Sequence, residues 1–349
     1  MGAIPEMMIT RLSAWHRAGN VLGEYFDIQT LLADANLNEN IVKRQLESNG
    51  IKVPAWGTFG EDTGDFKGVV GEEYQVLQHT EGFKLLNDLI GNGAKRFETA
   101  GTLFGGRTYF ASVALDKTLR VGDDESTNFL NFVTSHDGRF AFSVKLASNR
   151  QVCENTILMS LSQTGTAGFK VYHTKNALLE FQNAKQAMES VEQDIEKVEE
   201  NLNFLASRMV TDETMKDVME ELFLKKTAKG KDKMTTGSKR AETVFTNKLE
   251  EILDRYESND RNAFPEQRGT AYNLLNAITG YVDHGKDNRS FEYATLGTGN
   301  DLKSRALEVI TLSANGMPEK AQTRYFSVGK SEPLPTMDNQ DVVAELLGL

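Results

Sequence analysis

The chain has 349 residues, 39 of them basic and 50 acidic, a net charge of −11, 39% hydrophobic residues and one cysteine. That length suits two compact units, and the lone cysteine excludes an internal disulfide framework and fits a reducing cytoplasm. The negative charge argues against wrapping nucleic acid over the whole surface, though a local basic groove is compatible with it, and no apolar run of about 18 residues predicts a membrane span.

The opening MGAIPEMMITRLSAWHRAG lacks the continuous apolar stretch of a secretory signal. Residues 26 to 48, FDIQTLLADANLNENIVKRQLES, read as one or two short helices with Gly50 as a stop. Phe66 to Leu77 is rich in β-branched and aromatic residues and predicts a strand or paired strands. Thr80 then caps a helix whose Phe83, Leu86, Leu89 and Ile90 share one face, closed by Gly91 and Gly93. Strands follow at Lys95–Phe104 and Arg107–Leu115, joined at Gly105–Gly106.

Asn128 to Thr134 runs into Ser135–His136–Asp137–Gly138, after which Phe140, Phe142, Val144 and Leu146 alternate with smaller or polar residues. The alternation predicts a hairpin strand with one apolar face, and Asp-Gly supplies tight-turn chemistry. A short helix is expected over Glu154–Leu161 and a strand over Gly168–His173. No βαβ repeat occurs, so the fold class is α+β, an antiparallel hairpin-built sheet with interspersed helices.

Beyond Thr174 the pattern becomes helical. Phe181, Ala184, Met188, Val191, Ile195, Val198, Leu202, Leu205 and Met209 alternate steps of three and four, a heptad seam that predicts one long helix over 175–209. Its partner is either the chain's own later helices or a second subunit. A helix over Thr211–Leu224, a basic loop over Lys225–Arg240, and helices over 241–257, 269–283 and 301–314 complete a helical second half. Acidity concentrates in that half and in the turn Asp123–Asp124–Glu125, and the tail from Ser327 carries a docking turn at Val342–Leu347. The division expected is 1–60 as a helical segment, 61–174 as the sheet core, 175–315 as the helical region and 316–349 as the tail.

Catalytic chemistry has little support in the sequence. His136–Asp137, Cys153, His173 and Asp283–His284 are the candidate metal ligands, but no C-x-x-C, H-E-x-x-H or H-x-x-x-H spacing joins them. Cys153 stands at a strand-to-helix junction where a helix N-terminus would lower its pKa; a lone cysteine is more often a small buried hydrophobe. There is no G-x-S-x-G and no P-loop, since GTLFGGRT lacks the Lys-Ser/Thr ending. The expectation is no enzyme, no metal and no cofactor.

Nucleic-acid chemistry is better represented. Lys95, Arg96, Arg107, Arg139, Lys145 and Arg150 interleave with Phe97, Tyr109, Phe110, Phe140 and Phe142, the mix of cations and rings that holds single strands. Arg107, Arg139, Lys145 and Arg150 are the expected phosphate contacts and Tyr109 the stacking residue. Lys225, Lys226, Lys229 and Lys231 in the basic loop are secondary contacts.

Several segments in a fixed order are also distinctive: AWHRAG, VVGEEYQVLQHTEGF, FETAGTLFGGRTYFASVAL, the HDG turn, NRQVCENTILMSL, VYHTKNA and GTAYNLLNAITGYVDH. On these the chain resembles the phage/plasmid-like protein family of unknown function, over roughly residues 13 to 290. It departs from that family's pattern at Ala14, at Arg17–Ala18–Gly19 and at Gln78–His79. The resemblance implies a mobile-element protein of a bacterial cytoplasm, acting in DNA metabolism or against host defence. In outline the hairpin sheet followed by helices is similar to the single-strand annealing recombinases of phages, which pair strands without ATP and form homo-oligomers. The expected function is therefore single-stranded-DNA binding of the annealing type by a homo-oligomer. The alternative is a protein that binds a host factor and no DNA.

Overall fold

The computed structural model describes residues 7–9, 20–21, 32–33, 37–90, 97–150, 156–158, 168–177, 191–223, 239–257, 264–285, 293–294 and 297–320. It is an α+β protein whose sheets are mainly antiparallel and hairpin-built, with one parallel pair of short strands at the edge of the larger sheet. The chain divides into two compact units: 1–119, 126–149 and 159–196 form the first, and 120–125, 150–158 and 197–349 the second. No helix among the described residues is long and apolar enough to cross a membrane.

The first unit holds two sheets. The smaller is β3 (Ile41–Ser48), β4 (Ile51–Gly60) and β5 (Phe66–Val70) in sequence order. Here the expected helix gives way to strand over 41–48, and Gly50 is a turn residue rather than a helix stop. Asn49 and Gly50 both have positive φ, 52° and 76°, the mirror-image turn that matches strand twist. Asn-Gly between Ile41–Val42 and Ile51–Val53 is a hairpin signature, and it outweighs the weak helical spacing upstream.

The larger sheet runs β9-β8-β7-β6-β1-β2, with β11 (Gly168–Val171) also pairing β9. Its strands are β1 (Met7–Ile9), β2 (Asn20–Val21), β6 (Phe97–Leu103), β7 (Thr108–Val121), β8 (Asp124–Ser135) and β9 (Phe142–Arg150). Of the alternating apolar set, Phe142, Val144 and Leu146 are buried, but so are Ala141, Ala147 and Ser148, so most of β9 is covered on both faces. Helix α1 (His79–Ile90) starts one residue before Thr80. Its first turn is capped by Glu81, which accepts the backbone N–H of Gln78 at 2.8 Å, while the Gln78 side chain bridges to both backbone groups of Ile41.

The second unit contains most of the helices: α2 (Val191–Ala206, begun in the first unit), α3 (Asp212–Phe223), α4 (Lys239–Glu257), α5 (Ala271–His284) and α6 (Thr298–Ala314). The predicted long helix is a 16-residue helix among the described residues, ending at Ala206; Arg208 and Met209 sit in isolated β-bridges. Phe181, Ala184 and Met188 lie outside the described residues. Ile195, Leu202 and Leu205 are fully buried in the single chain, so this half of the seam is already occupied. Thr156–Leu158 is a short strand, β10, where a helix was expected; Thr156 and Ile157 favour strand.

Helix α5 is the axis of the second unit, buried on every side from Ala271 to Val282. Thr270 caps it by accepting the Asn273 N–H, and the Asn273 side chain donates to the Tyr256 carbonyl of α4. Asp124, in the acidic turn Asp123–Asp124–Glu125, is fully buried and accepts from the Tyr272 hydroxyl at 2.9 Å. A fully buried ion pair, Lys303 to Asp283 at 2.7 Å, ties α6 to α5.

That pair generates a prediction. Lys303→Met leaves a buried carboxylate without its cation and should lower unfolding free energy by about 3–5 kcal/mol. Adding Asp283→Leu should recover most of the loss, because an apolar pair of similar volume carries no desolvation cost. Urea unfolding of the two variants reads the difference.

Candidate nucleic-acid interface

Three of the five histidines gather at one end of the first unit, around the loop that joins β8 to β9. His136 and His79 are both buried, and their Nε2 atoms are 2.9 Å apart. One ring must donate and the other accept, so at least one is neutral. Tyr109 stacks on His136 at 5.1 Å and meets His79 edge-on at 4.4 Å. Burial holds His79 down at about 4, and holds His136 well below its ordinary value, with repulsion from His79, His173 and Lys67 added.

The backbone of His136 is held as firmly as its ring. Its N–H donates to the Arg107 carbonyl at 2.8 Å, and its carbonyl accepts the Thr58 hydroxyl at 2.7 Å. Next to it, Gly68 of β5 lies so close to Asp137 that a Cβ would come within 2.3 Å of the Asp137 Cβ. His173 is fixed by a different route. Its Nδ1 donates to the Gln75 carbonyl at 3.0 Å, which leaves Nε2 to accept the Thr134 hydroxyl at 2.8 Å. Its ring stacks on Tyr74 at 4.7 Å, and the Tyr74 hydroxyl donates to Ser135.

This buried frame positions an exposed rim. The turn between β6 and β7 places Phe104, Gly105 and Gly106 all at positive φ, 54°, 69° and 75°. Glycine adopts that region freely; a phenylalanine there is strained by on the order of 1–2 kcal/mol. Strain of this kind gathers at binding sites. The Phe104 ring is 36% exposed, stacks on Phe140 at 6.4 Å, and carries the Arg139 guanidinium over it at 4.5 Å. Asp137 steadies Arg139 by accepting from Nε at 2.6 Å. Arg107 is exposed in the same turn.

A second rim lies on β9 and β11. The register pairs Lys145 with Gly168 and Ser143 with Lys170, which puts Lys145 and Lys170 on one face. Both are exposed, and Lys170 Nζ sits 4.9 Å from the ring of Tyr172, itself 58% exposed.

Of the residues chosen from sequence, Arg107 of the β6–β7 turn and Arg139 of the β8–β9 loop are brought to the first rim, and Lys145 to the second. Tyr109 is in the core with its hydroxyl toward the Leu77 carbonyl, so its ring presents no face to a base. Phe110 and Phe142 are buried as well. The side chain of Arg150, and Lys95, Arg96, Cys153, Lys225, Lys226, Lys229 and Lys231, lie outside the described residues. The sequence reading missed Phe104, Lys170 and Tyr172, and also Arg44, which sits over Phe59 on the exposed face of β3 and β4. Phe104 beside two glycines was the one legible signal, since three residues for a tight turn demand left-handed backbone. Among the described residues, no group of three or more His, Cys, Asp or Glu could hold a metal ion.

The histidine pair gives a pH prediction. In the unfolded chain each imidazole takes up a proton below about pH 6.5, whereas in the folded protein His79 resists until about 4. The unfolded state therefore binds more protons in that window, and stability should be constant above pH 6.5 and fall as pH drops towards 4. For His79 alone the loss is on the order of 3 kcal/mol. His79→Gln, whose amide can still bond His136, should flatten this acid limb in denaturant unfolding; an unchanged limb would assign it to other groups.

The family described as Domain of unknown function (DUF932) matches residues 67–307. No curated protein and no solved structure matches the chain. The matched region starts at the Lys67 of β5 and takes in the histidine cluster, both rims and α5. With more than half of its length matched, the chain belongs to the DUF932 family.

Proposed function

We propose that the first unit binds single-stranded DNA along its two exposed rims, and that this binding serves ATP-independent strand annealing by a homo-oligomer in a phage or plasmid context. The observation that carries the reading is the pairing of a cation with an exposed ring at two places: Arg139 over Phe104 at 4.5 Å and Lys170 over Tyr172 at 4.9 Å. Single strands are held by cations that track the phosphates and by rings on which unstacked bases lie. Each rim supplies both.

Arg107, Arg139, Lys145 and Lys170 are the phosphate contacts, and Phe104 and Tyr172 the stacking residues. The Asp137 bond uses one of the five N–H donors of Arg139, and the remaining ones suffice for a phosphate. Arg150 and the loop lysines Lys225, Lys226, Lys229 and Lys231 add secondary contacts. The net charge of −11 confines binding to these local surfaces. The step from binding to annealing rests on the outline similarity to phage annealing recombinases. The cytoplasm of a bacterial host is the compartment this role requires.

The test is binding of a labelled oligonucleotide across a salt series, with solution mass recorded alongside. Binding should weaken linearly in log–log form, and removing all four cations should lower the slope by about 0.7 per lost contact. Phe104→Ala and Tyr172→Ala should weaken binding by roughly 1–3 kcal/mol each and leave the slope unchanged. No binding at low salt overturns the reading and favours a host-protein partner.

A further inference from the structure

The first unit contains a cavity of about 210 Å³ beside Tyr172. Leu77, Phe142 and Val171 supply apolar lining, Tyr172 contributes its exposed ring, and Glu81 and Lys175 supply charge. The volume is below the roughly 300 Å³ at which sites for drug-sized ligands begin. An apolar lining with one ring and a few polar groups at the margin suits a small flat heterocycle.

We propose that this cavity receives one unstacked nucleobase of the bound strand. The inference rests on the single-strand reading above and goes beyond it by naming a site for a base. Three observations support it. Tyr172, over whose ring Lys170 is placed, is among the residues that line the cavity, so the cavity adjoins one of the two proposed stacking rings. Its walls are rigid: His173, also in the lining, is bonded on both nitrogens and stacked on Tyr74, and Phe142 is in the sheet core. The Glu81 carboxylate is anchored through one oxygen by the Gln78 N–H, which fixes an acceptor at the cavity. A carboxylate accepts from the exocyclic amine of cytosine, adenine or guanine, and thymine has no such amine. Turning a base out of a single strand costs little compared with a duplex, since no pairing is broken.

The experiment compares the full chain with Ala177→Trp, which fills the cavity from its wall. Two probes of equal length are titrated over a salt series: a mixed-sequence oligodeoxynucleotide and a chain of abasic phosphodiester units. The wild type should prefer the base-bearing strand. Ala177→Trp should lose about tenfold of that preference while binding the abasic chain with unchanged affinity and salt slope, which also shows that the variant is folded. Tyr172→Ala, an exposed truncation, should reduce the same preference, and Glu81→Gln should narrow the discrimination against an all-thymine strand.

A preference identical in wild type and Ala177→Trp overturns the base site and leaves strand binding intact. Binding of both chains with no base preference in the wild type overturns the base site together with the stacking roles of Phe104 and Tyr172, and leaves only phosphate binding. Failure of both chains to bind at low salt overturns the single-strand reading, and the base site with it.

Discussion

The first unit depends on the burial of His136. Its ring meets His79 at the start of α1, its N–H is held by the turn between β6 and β7, and its carbonyl is held by Thr58 of β4. Three separate stretches of chain thus converge on one residue. The His79 contact satisfies Nε2 of the buried ring, and the two backbone contacts satisfy the N–H and carbonyl of the same residue, each of which would be costly to bury unpaired. The convergence has a mechanical result. The loop that carries Arg139 and the turn that carries Phe104 and Arg107 are fixed relative to each other by the same few bonds.

Electrostatics reinforces the neutral state of that cluster. Lys67 is buried beside it and paired with Glu39 at 3.5 Å. A buried lysine is tolerated only with a counter-charge, and its own positive charge then disfavours a second cation at His79 or His136. The lysine and the imidazoles are therefore not interchangeable sources of positive charge. The charge available to a phosphate lies outside the cluster, on Arg107, Arg139, Lys145 and Lys170. The interior provides position, and the rim provides charge.

Much of the architecture was legible in the sequence because period and turn chemistry agreed. The hairpins at Gly105–Gly106 and at Asp137–Gly138, helix α1, and helices α3 to α6 all stand where apolar spacing and glycine placed them. The failures occurred where two signals competed. Over 41–48 a loose helical spacing predicts helix, and the Asn49–Gly50 turn, with β-branched Ile41 and Val42 on one side of it and Ile51 and Val53 on the other, makes strands instead. Heptad spacing predicts one long helix over 175–209; the described part, Val191–Ala206, is helical, and the chain passes into β-bridges at Arg208 and Met209, a stop that spacing alone does not reveal. The site was harder to read than the fold. Tyr109 and Phe104 both look like rings in a basic strand region, and only the sheet's two-sided burial separates the core ring from the exposed one.

That separation bears on how a surface of this kind is built. Strand alternation alone would have made Arg107 and Tyr109 neighbours on one solvated face, yet β7 is buried on both faces over Thr108–Val113. A sheet covered on both sides can offer a ligand only its ends and edges. The exposed rings occupy those places: Phe104 at a hairpin end, forced outward by a left-handed backbone, and Tyr172 just past the end of β11. Both positions have anchored neighbours: Phe140 stacks on Phe104, and His173, next to Tyr172 in the chain, is bonded through both ring nitrogens. Rings set at the ends of rigid strands lose little freedom on binding, and that preorganisation favours affinity from a small contact area. On the single-strand reading proposed above, a chain whose overall charge repels phosphate has to hold its strand through local, preorganised contacts of this kind.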